Sequence, residues 1–165
     1  MSSTPLAHHQ FMRQALCEAR QALQSADVPV GAVVVVENTI VARGHNQREA
    51  LADPTAHAEI VALRRAAQQL QSWRLDNATL YVTLEPCIMC VGAAVLSRIK
   101  GLVYGCTDPK AGACGSQFDI IGVGRLNHTF PVVAGVYEAE ARALLQAFFQ
   151  RLRQCDRVIK DPTEA

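Results

Sequence analysis

Apolar and polar residues follow each other along this chain with two different periods, and the periods predict the order of helices and strands. Apolar residues three or four apart over about residues 8–25 predict an amphipathic first helix. Residues 30–36 are apolar and mostly β-branched, which predicts a strand that is buried on both faces. A turn at residues 37–39 then leads into a second strand through Ile40, Val41 and Ala42.

The same periods continue through the second half of the chain. We predict helices at about residues 56–70, from 86 to about 97 and from 137 to about 157, and strands at residues 78–84, 101–106 and 130–133. The glycines within residues 107–127 predict a loop with short structured pieces. Strands joined by helices after an initial hairpin predict an α/β protein, a three-layer α/β/α sandwich with a mixed sheet of about five strands.

Length and composition fit one compact domain, which we expect to span residues 1–165. Half of the residues are apolar and 19% are charged, as in globular proteins. The net charge of +1 gives no overall basic field, so charge alone does not indicate nucleic-acid binding. No segment has the length of a membrane span, and residues 1–10 lack the pattern of a signal peptide. We therefore expect a cytoplasmic protein without a membrane partner.

Two short motifs carry the candidate chemistry. The first places Glu59 two residues after His57, and the second is the run Pro86-Cys87-Ile88-Met89-Cys90. One imidazole and two thiols are ligands that zinc prefers, and catalytic zinc sites leave the fourth position to a water molecule. A nearby carboxylate can take a proton from that water and pass it on. H-x-E followed by P-C-x-x-C is the known signature of the zinc nucleobase deaminases.

Each motif is predicted at the start of a helix. Asp53 or Thr55 is the expected N-cap of the helix that carries His57, and Pro86 is expected to begin the next helix. Cys87 and Cys90 would then share one face of a first turn, because residues three apart are neighbours on a helix. The helix dipole at that end favours negative charge, which helps the thiols to ionise and bind a metal.

Two other interpretations of the cysteine pair stay open on these residues alone. A redox pair of the thioredoxin type would have no use for the histidine and the glutamate of the first motif. A purely structural zinc site needs a fourth protein ligand, for which Cys106 and Cys114 are candidates. We otherwise predict that the cysteines outside the motif are small core residues, namely Cys17, Cys106, Cys114 and Cys155.

Taken together, the motifs resemble those of the bacterial tRNA-specific adenosine deaminases of the cytidine deaminase-like superfamily. The similar segments extend over most of the chain, at residues 28–33, 53–60, 80–87, 97–99 and 112–116. The resemblance implies one zinc ion held by His57, Cys87 and Cys90, with Glu59 as the catalytic acid and base. It also implies a homodimer that converts adenosine at the wobble position of a tRNA anticodon to inosine.

The resemblance further implies a set of substrate contacts. Asn46 would reach the edge of the base, and the backbone amide of Ala58 would steady the attacked water. Val30 would belong to an apolar floor under the base. The resemblance also implies substrate contacts from Pro86 and Lys110. On residue type alone, Asn46 could equally be a turn residue and Val30 a core residue.

The terminal helix is basic although the whole chain is nearly neutral. We expect Phe149, Arg151 and Arg153 to contact the RNA, because aromatic rings stack on splayed bases while arginines pair with phosphates. Arg157 and Lys160 add to the positive charge of this end. The alternative is a solvated basic face opposite a core face formed by Leu144, Leu145, Phe148 and Leu152.

Other functions and other assemblies remain to be weighed. A deaminase of a free base or nucleoside, such as guanine or cytosine, would share the zinc motif but not an RNA surface. A zinc-stabilised binding module would be indicated by loss of the glutamate, which is present.

Residues 91–96 are apolar nearly all round, so we expect part of this helix to face the sheet and the rest to face a second subunit. Burial within one chain is the alternative.

Overall fold

The computed structural model describes residues 5–160, with side chains from Leu6 to Cys155. The predicted helices and strands follow one another in the predicted order. The elements are α1 (Pro5–Ala22), a 3-10 turn (Leu23–Ser25), β1 (Gly31–Val36), β2 (Thr39–His45), α2 (Arg48–Leu51), α3 (Ala58–Gln69), β3 (Ala78–Leu84), α4 (Ile88–Leu96), β4 (Gly101–Cys106), β5 (Val132–Val133) and α5 (Glu138–Lys160).

The five strands form one mixed sheet in the order β2-β1-β3-β4-β5. Strand β1 is antiparallel to both of its neighbours, whereas β3, β4 and β5 run parallel. The β1–β2 hairpin turns at Glu37 and Asn38, which both have positive φ angles, as a tight two-residue turn requires. The prediction of a mixed sheet of about five strands is confirmed.

Helices cover both faces of the sheet, which confirms the three-layer sandwich. Alternate residues of β1, β3 and β4 point to opposite faces, because side chains in a strand alternate. Helices α1 and α5 lie on one face, against Val33, Tyr81 and Val103 among others. Helices α3 and α4 lie on the other face, where a larger core includes Val34 and Leu80.

Several predicted boundaries need correction. Helix α1 begins at Pro5, α5 begins one residue later than expected, and β5 has only two residues. Strand β2 extends to His45, three residues further than predicted, because Gly44 packs directly on α3. A Cβ at Gly44 would lie 2.5 Å from the Ala58 carbonyl oxygen, so only glycine allows this approach. The short helix α2 was not predicted.

The four cysteines outside the motif differ in burial. Cys106 is buried and Cys114 is half-buried, but Cys17 and Cys155 are exposed. The prediction of a core position was therefore wrong for these last two, which lie on the outward sides of α1 and α5. Among the helices of the described residues, none is long and apolar enough to cross a membrane.

Candidate active site

The two motifs meet at the starts of α3 and α4. His57 is the N-cap residue of α3, and Cys87 is the N-cap residue of α4, with Cys90 in the first turn. The His57 Nδ1 atom lies 3.7 Å from the Cys87 Sγ atom and 3.6 Å from the Cys90 Sγ atom. The ligand atoms of the three residues all lie within 4.8 Å of one another. Residues separated by about thirty positions in the chain therefore form one cluster.

The predicted caps differ from the observed ones. Asp53 does not cap α3; its carboxylate accepts hydrogen bonds from the backbone and the hydroxyl of Thr55, at 2.8 and 2.7 Å. This local turn precedes the helix and delivers His57 to the N-cap position. Pro86 likewise lies outside α4, immediately before Cys87. The motif residues themselves thus occupy the helix starts, and neither N-cap residue makes a capping hydrogen bond with its own side chain.

The donor set fits a zinc ion. Zinc bond lengths of about 2.0–2.3 Å to nitrogen and sulfur give tetrahedron edges of about 3.3–3.8 Å. The measured separations of His57 from the two sulfur atoms fall within this interval. Among the described residues, no fourth histidine, cysteine or carboxylate joins the cluster. Three ligands leave one tetrahedral position to a water molecule, as in catalytic zinc sites.

The two thiols differ in their affinity for a proton. Two hydrogen bonds lower the pKa of Cys87 to about 4. The one from Cys90 has the larger effect, and the one from His57 adds to it. The pKa of Cys90 is raised, because its proton is shared with the Cys87 sulfur and because it is buried. The hydrogen bond to Cys87 also raises the pKa of His57. The cluster therefore holds a thiolate at Cys87, which attracts a cation. A simple redox pair would consist of the two cysteines only, whereas His57 also takes part here.

Glu59 has the properties of a proton carrier. It lies in the first turn of α3 and is only 3% exposed, and its Oε2 atom has no hydrogen-bond partner among the described residues. Burial raises the pKa of Glu59 to about 7. A carboxyl group with a pKa near neutrality can both take up and release a proton at the pH of the cell. A buried polar atom without a partner is also costly, so this oxygen is a candidate to contact a ligand.

Hydrogen bonds link the predicted base-contacting residues to one another and to the start of α3, next to His57. The backbone N–H of Asn46 donates to the Val30 carbonyl at 3.1 Å. The Asn46 Oδ1 atom accepts from the backbone N–H of Ala58 at 2.9 Å, which fixes the orientation of the side-chain amide. The Ala58 amide, expected to steady a water molecule, is instead engaged by Asn46.

The other predicted contacts lie on the rim or further away. Pro86 is buried, and its carbonyl accepts from the backbone N–H of Ala113 at 2.8 Å. Lys110 is exposed on the same loop. A further residue of this region was missed by sequence reasoning: Glu85, which is 2% exposed and hydrogen-bonded to that loop. The sequence signal was its place in the segment 80–87, directly before Pro86.

Helix α5 carries the predicted RNA-contacting residues on more than one face. Phe149, Arg151 and Arg153 are all exposed. Phe149 and Arg153, four residues apart, share a face, whereas Arg151 is two residues from each and points elsewhere. Of the expected core face, three residues are half-buried and Leu152 is 42% exposed. The side chains of Arg157 and Lys160 lie outside the described residues.

One groove on the described surface lies away from the metal cluster. It has a volume of about 1000 Å³ and lies between α1 and the opposite end of the sheet, with Tyr81 and Val103 in its lining. None of the three ligands contributes to it. The donor atoms and the buried carboxyl group of Glu59 mark the candidate site.

Comparison with known proteins agrees with this chemistry. The model of the MafB19-like deaminase family matches residues 6–153, and the chain belongs to that family. Among curated relatives, the tRNA-specific adenosine deaminase of Bacillus subtilis (strain 168) is 46% identical over 144 residues, which are 87% of this chain and 89% of the relative. The resemblance inferred from the motifs is confirmed.

Two solved structures bear on the choice between substrates. One, from studies of A-to-I editing by tRNA:A34 deaminases at the wobble position, superposes with a TM-score of 0.80 at 43% identity, and the match covers 82% of this chain and 99% of that one. It supports the cytidine deaminase-like fold. A guanine deaminase from Bacillus subtilis gives a TM-score of 0.60 at 33% identity, with coverage of 75% and 82%. The structures of both enzymes thus share this fold.

Proposed function

We propose that this protein is a zinc-dependent tRNA adenosine deaminase, which hydrolyses adenosine at the wobble position of an anticodon to inosine and ammonia. The observation that carries the proposal is the three-ligand cluster with a buried, unpartnered Glu59 oxygen beside it. The similarity to tRNA-specific adenosine deaminases along most of the chain supports the choice of substrate.

The chain's own residues account for the proton transfers. When held by His57, Cys87 and Cys90, zinc supplies a water molecule that ionises near neutral pH. Glu59 takes one proton from the attacking water and delivers it to N1 of the adenine; it then takes the second proton, from the hydroxyl added at C6, and passes it to the departing amine, which leaves as ammonia. The Asn46 Nδ2 group donates to the edge of the base, while its Oδ1 atom is held by the Ala58 amide. Val30 and Pro86 form the apolar wall of the base pocket.

A deaminase of free guanine or cytosine is the second candidate, and the guanine deaminase with the same fold is the observation that favours it. The two candidates are separated by incubating the purified protein with an anticodon stem-loop that contains adenosine at the wobble position. The control stem-loop has the adenosine one position away, and free guanine, cytosine and adenosine are assayed in parallel. Inosine at the wobble position alone supports the proposal, whereas deamination of free guanine without RNA editing contradicts it.

We predict that the arginines of α5 bind the RNA backbone. Replacing both Arg151 and Arg153 by alanine is expected to raise KM for the stem-loop and to leave the zinc content unchanged. The dependence of KM on salt should become flatter, because each lost phosphate contact lowers the slope by about 0.7 for single strands. Since the two residues lie on different faces of α5, single variants show which face binds the RNA. Arg153 is expected to contribute more, because it shares a face with Phe149.

An unchanged KM and an unchanged salt slope in the double variant would contradict this prediction. The binding surface would then have to lie elsewhere, and the exposed Lys110 on the loop beside the metal cluster is the next residue to replace.

We further propose a homodimer formed through α4. Ile88 is 50% exposed and Leu96 is 72% exposed on the outer face of this helix. Gly92 lies on the same helix, and a Cβ there would meet no atom within 4 Å of its own chain. An exposed apolar face that carries a small residue allows a second helix to approach closely.

Sedimentation at micromolar concentration is expected to show a dimer. Leu96→Glu places a charge in the proposed interface and should shift the protein towards monomers. Leu6→Glu is the matched control, because Leu6 is 80% exposed on α1, on the other side of the sheet. A stable wild-type monomer at this concentration would reject the dimer.

A further inference from the structure

Glu85 lies at the end of β3, just before the cysteine motif, and the metal cluster does not use it. Its carboxylate accepts four hydrogen bonds from one loop. The Oε1 atom accepts from the backbone N–H groups of Cys114 at 3.0 Å and Ser116 at 3.1 Å. The Oε2 atom accepts from the backbone N–H of Asp108 at 3.0 Å and from the Ser116 hydroxyl. A single buried side chain thus gathers both ends of the segment 108–116.

The same segment is attached to the cysteine motif on its other side. The backbone N–H of Ala113 donates to the Pro86 carbonyl at 2.8 Å, and Gly112 forms a bridge with the zinc ligand Cys87. At Gly112 the loop passes so close to Glu85 that a Cβ would lie 2.4 Å from the Oε2 atom. The loop therefore fits around the carboxylate and lies directly beside the metal cluster.

The chemistry of the four partners matches a carboxylate. All of them are donors, and only a group with two acceptor oxygens satisfies them together. A glutamine at this position would turn an NH₂ donor towards two of the donors and leave them unpaired.

The segment 108–116 also positions Lys110, an exposed positively charged side chain near the metal cluster. The Asp108 Oδ1 atom accepts from the backbone N–H groups of Lys110 at 2.9 Å and Ala111 at 3.3 Å. Because Glu85 binds the backbone of Asp108 itself, the turn that presents Lys110 starts at an anchored residue. The position of that lysine relative to Cys87 thus depends on a buried residue that does not belong to the metal cluster.

We propose that Glu85 is a positioning residue for RNA binding, which holds the loop 108–116 beside the zinc cluster in the form that contacts the anticodon loop. The inference rests on the proposed function, because it assigns the loop to the RNA. A preorganised loop binds without first losing conformational freedom, so Glu85 acts on substrate affinity more than on the proton transfers. Ser116 and Gly112 contribute to the same anchoring of the loop, Ser116 by donating to the carboxylate and Gly112 by leaving space for it.

The test is the variant Glu85→Gln, which keeps size and shape but removes the second acceptor. Hydrogen exchange should become faster at the amides of Asp108, Cys114 and Ser116, while the amides of α3 and β3 stay protected. KM for the stem-loop is expected to rise about tenfold or more, as expected when buried donors lose their acceptor. Zinc content should stay near one per chain, and kcat should change less than KM.

Two further variants reach the loop without altering the carboxylate. Ser116→Ala removes one of the four donors and should raise KM less than Glu85→Gln does. Gly112→Ala adds a methyl group where there is no space and should loosen the same amides. Glu37→Gln, at the exposed hairpin turn on the opposite end of the sheet, is the matched control and should leave hydrogen exchange of the loop and KM unchanged.

The outcomes separate this inference from the proposed function. If Glu85→Gln leaves the exchange of the loop amides unchanged, or if exchange increases while KM stays constant, the inference is wrong. If Glu85→Gln fails to fold or loses its zinc, Ser116→Ala decides: an unchanged KM with normal zinc content overturns the inference. If the wild type does not edit the stem-loop, the proposed function itself fails, and the exchange data still report whether Glu85 anchors the loop.

Discussion

Replacing Glu59 by alanine is expected to abolish deamination while zinc content stays close to one per chain. General acid–base catalysis by one group is typically worth about 10²–10⁴ in rate, and Glu59 serves more than one proton transfer. We therefore expect kcat to fall by at least about 10⁴-fold on the anticodon stem-loop. The carboxyl group is buried beside the ligand cluster but is not one of the three ligands, so its removal should spare metal binding. Steady-state kinetics and metal analysis of the same sample test both parts.

The isosteric variant Glu59→Gln separates chemistry from packing. Burial raises the pKa of Glu59 to about 7 in the metal-free protein, so folding favours its protonated form. The associated stability is fully present below the ordinary pKa of 4.5 and is lost as the pH rises through 7. Above pH 7, metal-free Glu59→Gln should therefore unfold at a higher temperature than the metal-free wild type. A variant that keeps a tenth of the wild-type kcat would disprove the role given to Glu59.

The sequence predicts most of the fold because its elements depend on local patterns. The buried strand at residues 30–36 and the amphipathic helices follow from the spacing of apolar residues alone. The zinc ligands follow from residue type, because few side chains bind zinc and their spacing is distinctive. These features need no knowledge of which segments meet in space.

The features that could not be predicted depend on contacts between distant segments. Strand β2 continues past Ala42 because Gly44 lies against α3, an approach that the pattern does not encode. Helix α2 is held by Asp27, whose carboxylate accepts from the backbone N–H of Glu49, 22 residues later. Glu85 is surrounded by backbone donors that lie 23 to 31 residues further along the chain. Every residue except proline has a backbone N–H group, so residue types do not reveal which amides will bind a carboxylate.

The zinc ligands give the second large effect. Replacing Cys87 or Cys90 by alanine is expected to lower zinc content from close to one per chain to near zero, and activity should be lost with it. Two protein ligands hold zinc far more weakly than three, and the binding free energy also stabilises the fold. The unfolding temperature of the wild type should therefore fall when a chelator removes the metal and recover when zinc is added. The alanine variants should show neither change.

Cys114→Ala is the control that distinguishes an open site from a closed one. Cys114 is half-buried next to the cluster, and burial raises the pKa of its thiol to about 12, so it remains protonated and is a poor ligand. Zinc content and activity of this variant should match the wild type. If it loses zinc as the Cys87 and Cys90 variants do, a fourth protein ligand closes the tetrahedron. The position that a catalytic water needs would then be taken, and the site would be structural.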